Sequence, residues 1–278
     1  MLLQTTLAYD FTEVDAVLRD AVASHAFPGA VALIADKAGV VHSTAVGAYT
    51  YAVDAPKMDA GPFTPTLFDL ASLTKVTATT TAAMLLYQDG RLPLDAKLTE
   101  YFGEAFAATD ARKADATVRN LLLHNAGWPP DPTPVSFCAP ACSEVKVQPP
   151  QARNLSFSCQ PKVVAALLTQ KLDQAPGAKF VHSDISMISM MFVLGNVART
   201  QKLVAPAQLL ASCVAQSGAA AGADAQPPPP TGLNVAPIDQ CYYEALVRAS
   251  VLSKLTPAGF IGFRPPLPLW KRCARVRS

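Results

Sequence analysis

Val14, Val17, Leu18, Ala21 and Val22 recur at the three- and four-residue spacing of a single helix face and predict a helix near the N-terminus. Thr12 is read as its N-cap, with Asp15 three residues later in the capping-box position. Pro28-Gly29 ends that helix, and residues 30–36 and 40–46 then carry the apolar, β-branched character of strands. Lys37-Ala38-Gly39 between them predicts a hairpin, so the chain opens helix, strand, strand.

Residues 54–62 are rich in Pro, Gly and Asp and read as a loop. Residues 67–70 are a short apolar approach to a long, mostly buried helix beginning near Ser72. That helix has no Pro or Gly through Gln88, and Gly90 lies just past its end as a stop. A second, shorter helix is expected over 117–124. From 128 to 160 prolines and cysteines cluster, which reads as a surface insertion. Helices follow over 162–172, with Pro161 at its first position, and over 184–198, separated by a turn at Pro176-Gly177. Residues 205–216 and 239–255 suit helices, 218–230 reads as a flexible linker, and 263–278 is a Pro-rich, then basic tail.

Composition narrows the class. Of 278 residues, 50% are apolar and 16% charged, against about 25% charged in an average soluble protein, so the chain is no disordered polyelectrolyte. A net charge of +2 with no basic stripe gives no case for nucleic acid. The apolar run 185–198 is shorter than the roughly 20 residues a membrane span needs and reads as a buried core helix. The N-terminus has no basic region of a secretory signal. Six cysteines in a chain this long make no disulfide framework, so reduced thiols and a cytoplasmic location are expected.

The candidate chemistry sits at Ser72-Leu73-Thr74-Lys75, an S-x-x-K pattern. On a helix, residues three apart share a face, so the lysine amine can reach the serine hydroxyl. A hydroxyl is a weak nucleophile that needs an adjacent base, and a lysine can serve. The pattern alone more often describes a helix-capping serine with a solvated lysine one turn on.

Further motifs follow in order. Phe27-Pro28-Gly29-Ala30 leads into the two strands; Phe68-Asp69-Leu70-Ala71 precedes Ser72-Leu73-Thr74-Lys75; Leu86-Tyr87-Gln88-Asp89-Gly90-Arg91-Leu92 and Leu94-Asp95 end the helix. Leu121-Leu122-Leu123-His124-Asn125-Ala126-Gly127 and Phe180-Val181-His182-Ser183-Asp184 come next. With these motifs the sequence resembles the serine β-lactamase and penicillin-binding-protein family, especially its class C and esterase-like branch, from about residue 27 to 198.

The resemblance implies that Ser72 is the acylated nucleophile and Lys75 its base or proton shuttle. Where the family's second motif carries a tyrosine, this chain has His182, with Asp184 two residues on. Histidine can do acid–base work, though it is shorter; it either transfers protons or only fills the site. Asp184 either binds Lys75 or substrate, or caps the helix that follows. His124 corresponds to a histidine that is structural in the family. Cys138, Cys142 and Cys159 lack a convincing fourth ligand, so no metal is expected, and no cofactor is expected because Ser–Lys chemistry needs none.

The resemblance also implies a third motif on a sheet strand, lysine-threonine-glycine or histidine-x-glycine, and none follows Asp184. The expectation is therefore a C-terminally truncated or frame-shifted member: a β-lactamase-related domain over 1–200 with its insertion, and a divergent segment over 201–278. Its fold class is α+β, β-lactamase/transpeptidase-like, an antiparallel sheet packed with helices plus a helical subdomain. The sheet is expected to be incomplete, leaving exposed strand edges and a poorly covered Ser72 helix. The expected function is a serine hydrolase acting on an ester, amide or β-lactam of small-molecule or peptide type. The alternative is an inactive relative that binds or scaffolds, or a truncated product. Oligomeric state is not legible.

Overall fold

The computed structural model describes residues 9–61, 66–131, 160–217, 234–255 and residue 262. These divide into two compact units: Met1–Ala71 with Thr256–Ser278, and Ser72–Leu255.

The first unit holds a helix and a hairpin. Helix α1 spans Thr12–Ala23. Its cap differs from expectation: Phe11 is the N-cap residue and offers no side-chain bond, while Asp10 Oδ1 accepts from the Thr12 N–H at 2.9 Å and from its hydroxyl at 2.6 Å. Aspartate outcompetes threonine here because its charged oxygen serves both donors. The apolar stripe is only partly covered, with Val14 and Val17 exposed. Strands β1 (Gly29–Asp36) and β2 (Gly39–Gly47) pair antiparallel. Asp36 Oδ1 closes the turn by accepting from the N–H groups of Ala38 and Gly39. Ile34 faces His42 and Ala35 faces Val40, so Val41 is an extra residue that bulges β2. His42 ties the hairpin to α1, with Nε2 2.8 Å from Asp15 Oδ1 and its ring stacked on Phe11 at 4.7 Å. Among the described residues the sheet has two strands, and Leu33, Val40 and Val41 are exposed on it.

The second unit is helical. The segment after Ser72 begins with a π-helical turn, Lys75–Thr80, and continues as α2, Thr81–Gln88, with Gly90 at φ +68° stopping it. Ala78, Thr79, Ala82, Ala83 and Leu86 are buried; Leu73, Val76, Met84 and Tyr87 are exposed, so the helix is buried on one face rather than mostly buried. Short helices α3 (Leu98–Phe102) and α4 (Val118–Leu122) follow; the Thr117 hydroxyl accepts from the Asn120 N–H to cap α4. Helix α5 spans Gln160–Thr169 and starts before Pro161.

Helix α6, Asp184–Thr200, is the central element. Every residue from Ile185 to Ala198 except Ile188 and Met191 is buried, as its apolar composition predicts. After the short α7 (Ala211–Gln216), helix α8 (Asp239–Val247) lies against α6 and runs on through a second π-turn, Arg248–Leu252. Gly195 makes this packing possible: a Cβ there would run into the Asp239 carbonyl oxygen. Arg199 Nε donates to Asp239 Oδ1 at 2.6 Å and Nη2 to Oδ2 at 3.2 Å, and Asp239 is fully buried. Cys213 and Cys241 form a disulfide between α7 and α8, with Cα atoms 5.8 Å apart. At these two positions this corrects the expectation of reduced thiols. The partners lie 28 residues apart in sequence and meet only because α8 folds back over α6. No helix among the described residues is long and apolar enough to cross a membrane. The insertion at 132–159, the linker at 218–230 and the tail at 263–278 lie outside the described residues.

Candidate active site

Ser72 follows a constrained residue. Ala71 has φ +42°, in the left-handed region that side chains with a Cβ rarely enter, and its N–H is held by Asp69 Oδ1 at 2.9 Å. The chain then turns at once into helix, with the Lys75 N–H donating to the Ser72 carbonyl at 3.0 Å. That tight turn sets the two side chains together, and Lys75 Nζ donates to Ser72 Oγ at 2.9 Å. Ser72 is exposed; the Lys75 side chain is not, at 14% accessible. The nucleophile candidate thus faces outward while its partner amine approaches from the protein side.

Asp184 closes the other side of Lys75, its Oδ1 2.6 Å from Nζ. Asp184 lies against Lys75 and does not supply the side-chain cap of α6. Ser183 is the cap: its hydroxyl accepts from the Ser186 N–H at 3.3 Å and donates to the Pro129 carbonyl at 2.7 Å. The Asp184 N–H donates to the Pro130 carbonyl at 2.8 Å, leaving its carboxylate to reach Lys75. Sequence reasoning overlooked Ser183, though a serine immediately before an apolar helix is a capping signal.

The segment after α4 frames this arrangement. Gly127 has φ +89°, and a Cβ there would strike the Gln174 carbonyl oxygen, so the chain passes residues 173–174 at close range. Further along, the Gly177 N–H donates to the Asn125 carbonyl and the Val181 N–H to the His124 carbonyl, each at 2.7 Å. His124, at φ +53°, accepts the Ser183 N–H on Nδ1 at 3.0 Å. An accepting Nδ1 defines the neutral imidazole with its proton on Nε2. Burial holds the His124 pKa below its ordinary value, and the neighbouring His182 and Lys75 push the same way, with Asp184 opposing.

His182 stacks on His124 with ring centroids 4.8 Å apart, and Phe180 meets His124 edge-on at 6.0 Å. His182 is exposed, and no hydrogen bond among the described residues joins it to Ser72 or Lys75. The four residues singled out in the sequence therefore separate: Ser72, Lys75 and Asp184 form one connected chain, and His182 stands beside it against His124. No group of three or more His, Cys, Asp or Glu residues suited to a metal occurs among the described residues, and Cys138, Cys142 and Cys159 lie outside them.

The Beta-lactamase family model matches residues 14–207, more than half of the chain, and spans Ser72, Lys75 and Asp184. The chain belongs to the Beta-lactamase family. Among curated relatives of this β-lactamase family member is a "Putative D-alanyl-D-alanine carboxypeptidase" of Escherichia coli K12, 30% identical over 137 residues, which are 48% of this chain and 29% of that protein. A protein of the same description in Escherichia coli O157:H7 is 30% identical over 177 residues, 62% of this chain and 38% of that one. The chain thus spans about a third of the length of these relatives. Its fold is β-lactamase/transpeptidase-like and α+β. Among solved structures, the octameric penicillin-binding protein homologue from Pyrococcus abyssi aligns with a TM-score of 0.50 at 19% identity, over 69% of this chain and 40% of that one.

Proposed function

We propose that this β-lactamase family member is a serine hydrolase that works through an acyl-enzyme on Ser72. The observation that carries this reading is the contact of 2.9 Å between Lys75 Nζ and Ser72 Oγ, with Asp184 2.6 Å from the same nitrogen. In the first half-reaction Lys75, as the neutral amine, accepts the proton of Ser72 as Oγ attacks the substrate carbonyl, the reverse of the hydrogen bond its ammonium donates to Oγ. The amine then returns that proton to the departing alcohol or amine as the tetrahedral intermediate collapses to the ester. In the second half-reaction Lys75 accepts a proton from water as it attacks the ester, and Ser72 leaves with the proton restored. Asp184 holds the amine in line throughout. The positive end of the helix that begins here favours the negative charge that develops beside it.

The substrate class is an ester, an amide or a β-lactam. The carboxypeptidase descriptions of the relatives favour a small peptide amide among these. His182 we read as a wall of the site, because its ring is committed to stacking on His124. The test is intact-protein mass after incubation with a fluorophosphonate and, separately, a penicillin, with Ser72→Ala as control. A single adduct that disappears in the variant supports the reading. A folded protein that takes up neither reagent overturns it and favours an inactive, binding relative.

A further inference from the structure

The π-turn that carries Lys75 has a buried partner on a distant helix. Thr79 and Tyr243 are hydrogen-bonded hydroxyl to hydroxyl at 2.8 Å, across 164 residues of sequence and inside the core. A buried threonine in a regular helix ordinarily bonds back to the carbonyl four residues earlier. Here the turn has opened to the wider π spacing; Thr81 bonds back five residues, to the Val76 carbonyl at 2.9 Å, and Thr79 reaches outward to Tyr243. Single π-turns of this kind recur at functional sites.

Lys75 is the first residue of this turn. The turn holds one residue more than an α-helical turn, so relaxing it would rotate one side of the helix against the other by about 100°. Beyond the turn, Ala82, Ala83 and Leu86 are buried and fixed. The side that would turn is the one bearing Lys75, whose contacts with Ser72 and Asp184 such a rotation would break. Tyr243 is well placed to prevent this, because its own helix is pinned ahead of it. Asp239 is clamped by Arg199 and packed on Gly195, and Cys241 is bonded to Cys213.

We propose that Tyr243 is a positioning residue: through Thr79 it holds the π-turn open and so keeps Lys75 directed at Ser72 and Asp184. Tyr243 lies beyond residues 14–207, the part that matches the family, so this brace is supplied by the chain's own C-terminal portion. The inference rests on the Ser72–Lys75 reading above.

The test is the rate of fluorophosphonate labelling of Ser72, with thermal melts as a folding check, for the unmodified chain, Tyr243→Phe, Thr79→Val, Thr79→Ser and the Phe/Val double variant. Loss of one buried hydrogen bond should slow labelling about three- to tenfold in Tyr243→Phe and in Thr79→Val. The double variant should be no slower than either single one, and Thr79→Ser, which keeps the hydroxyl, should restore the rate. Should Tyr243→Phe fail to fold, Thr79→Val and Thr79→Ser carry the comparison from the other end of the bond. Labelling unchanged in the folded variants, or additive losses, overturns the brace while leaving Ser72 as nucleophile. If the unmodified chain does not label, the hydrolase reading is what has failed. Amide hydrogen exchange over residues 75–80 then decides the brace alone: faster exchange in Tyr243→Phe supports it, and unchanged exchange overturns it.

Discussion

Asp184 and Lys75, 109 positions apart in the numbering of the chain, meet at 2.6 Å, and Ser72 completes the line at 2.9 Å. The link depends on the Pro130 carbonyl and the Ser183 cap, which fix the first turn of α6. Replacing Asp184 by Asn keeps the shape and removes the charge. The Asp184 side chain is 44% accessible, so holding the amine in line contributes about 1 kcal/mol at most, and acylation of Ser72 should slow about three- to fivefold. Lys75→Met, which removes the base itself, should abolish labelling within the same assay. Unchanged labelling in Asp184→Asn would restrict Asp184 to a structural role.

His182 provides the contrast. Its ring stacks on His124 and it shares no hydrogen bond with Ser72 or Lys75 among the described residues. His182→Phe preserves an aromatic face for that stack. Labelling should then stay within about threefold of the unmodified rate, because the stack survives and no hydrogen bond to Ser72 or Lys75 is lost. A fall of two orders of magnitude would instead make His182 a proton carrier.

How far the site was legible follows from these residues. Ser72 and Lys75 are three positions apart on one helix, so their contact is local and the spacing announces it. Asp184 was legible as a charged residue at a helix start that either binds Lys75 or substrate or caps the helix; the choice was not legible, because it depends on Ser183 and on the carbonyls of Pro129 and Pro130. The hairpin and its turn were legible from two strand-like apolar runs and the short connection ending in Gly39. The π-turn, the Cys213–Cys241 bond and the Thr79–Tyr243 contact were not. Each depends on how α8 returns to the core, and no local pattern encodes that return.

His124 makes stability sensitive to acid. Its folded-state pKa lies below the ordinary histidine value near 6.5, so the folded chain resists a proton that the unfolded chain accepts. The unfolded state therefore binds more protons as pH falls below about 6.5, and stability drops through that window. His124→Asn keeps a residue that tolerates the left-handed backbone at this position. Melting temperatures from pH 7 to pH 5 should fall more steeply for the unmodified chain than for the variant. Parallel curves would show that His124 is protonated equally in both states.

Lys113 should act at the opposite end of the pH scale. It is fully buried, and Nζ donates to the carbonyls of Leu167 and Leu168 and lies 5.0 Å from the Phe106 ring and 5.2 Å from that of Trp128. Burial lowers its pKa from 10.5 to about 8, with Asp110 opposing. Below pH 8 both states carry the charge and the folded state bears its desolvation. Between about 8 and 10.5 the folded chain has released a proton that the unfolded chain keeps, so this residue's contribution to stability rises with pH. Lys113→Met preserves the packing and removes the titration. The difference in melting temperature between the two proteins should change across that window; a flat difference would mean an unperturbed lysine.

The Cys213–Cys241 bond is the most consequential departure from the sequence reading. Both sulfurs lie in residues that are at most 2% exposed, so reagents reach them only when the chain opens. Closing a loop between residues 28 apart should stabilise the fold by about 3–4 kcal/mol. For a chain of this size that corresponds to roughly 10 °C in melting temperature. Protein purified without reductant should resist alkylation at both cysteines even when unfolded. Reduction, or a Cys213→Ala/Cys241→Ala double variant, should lower the melting temperature by that amount. Ready alkylation of both residues in unreduced, unfolded protein would refute the pairing. Because disulfides persist in oxidising compartments and are rare in the cytosol, the same chain produced in a reducing and an oxidising host compartment should differ by the same amount. The loss would fall first on α8, which carries Cys241 and the tyrosine that meets Thr79.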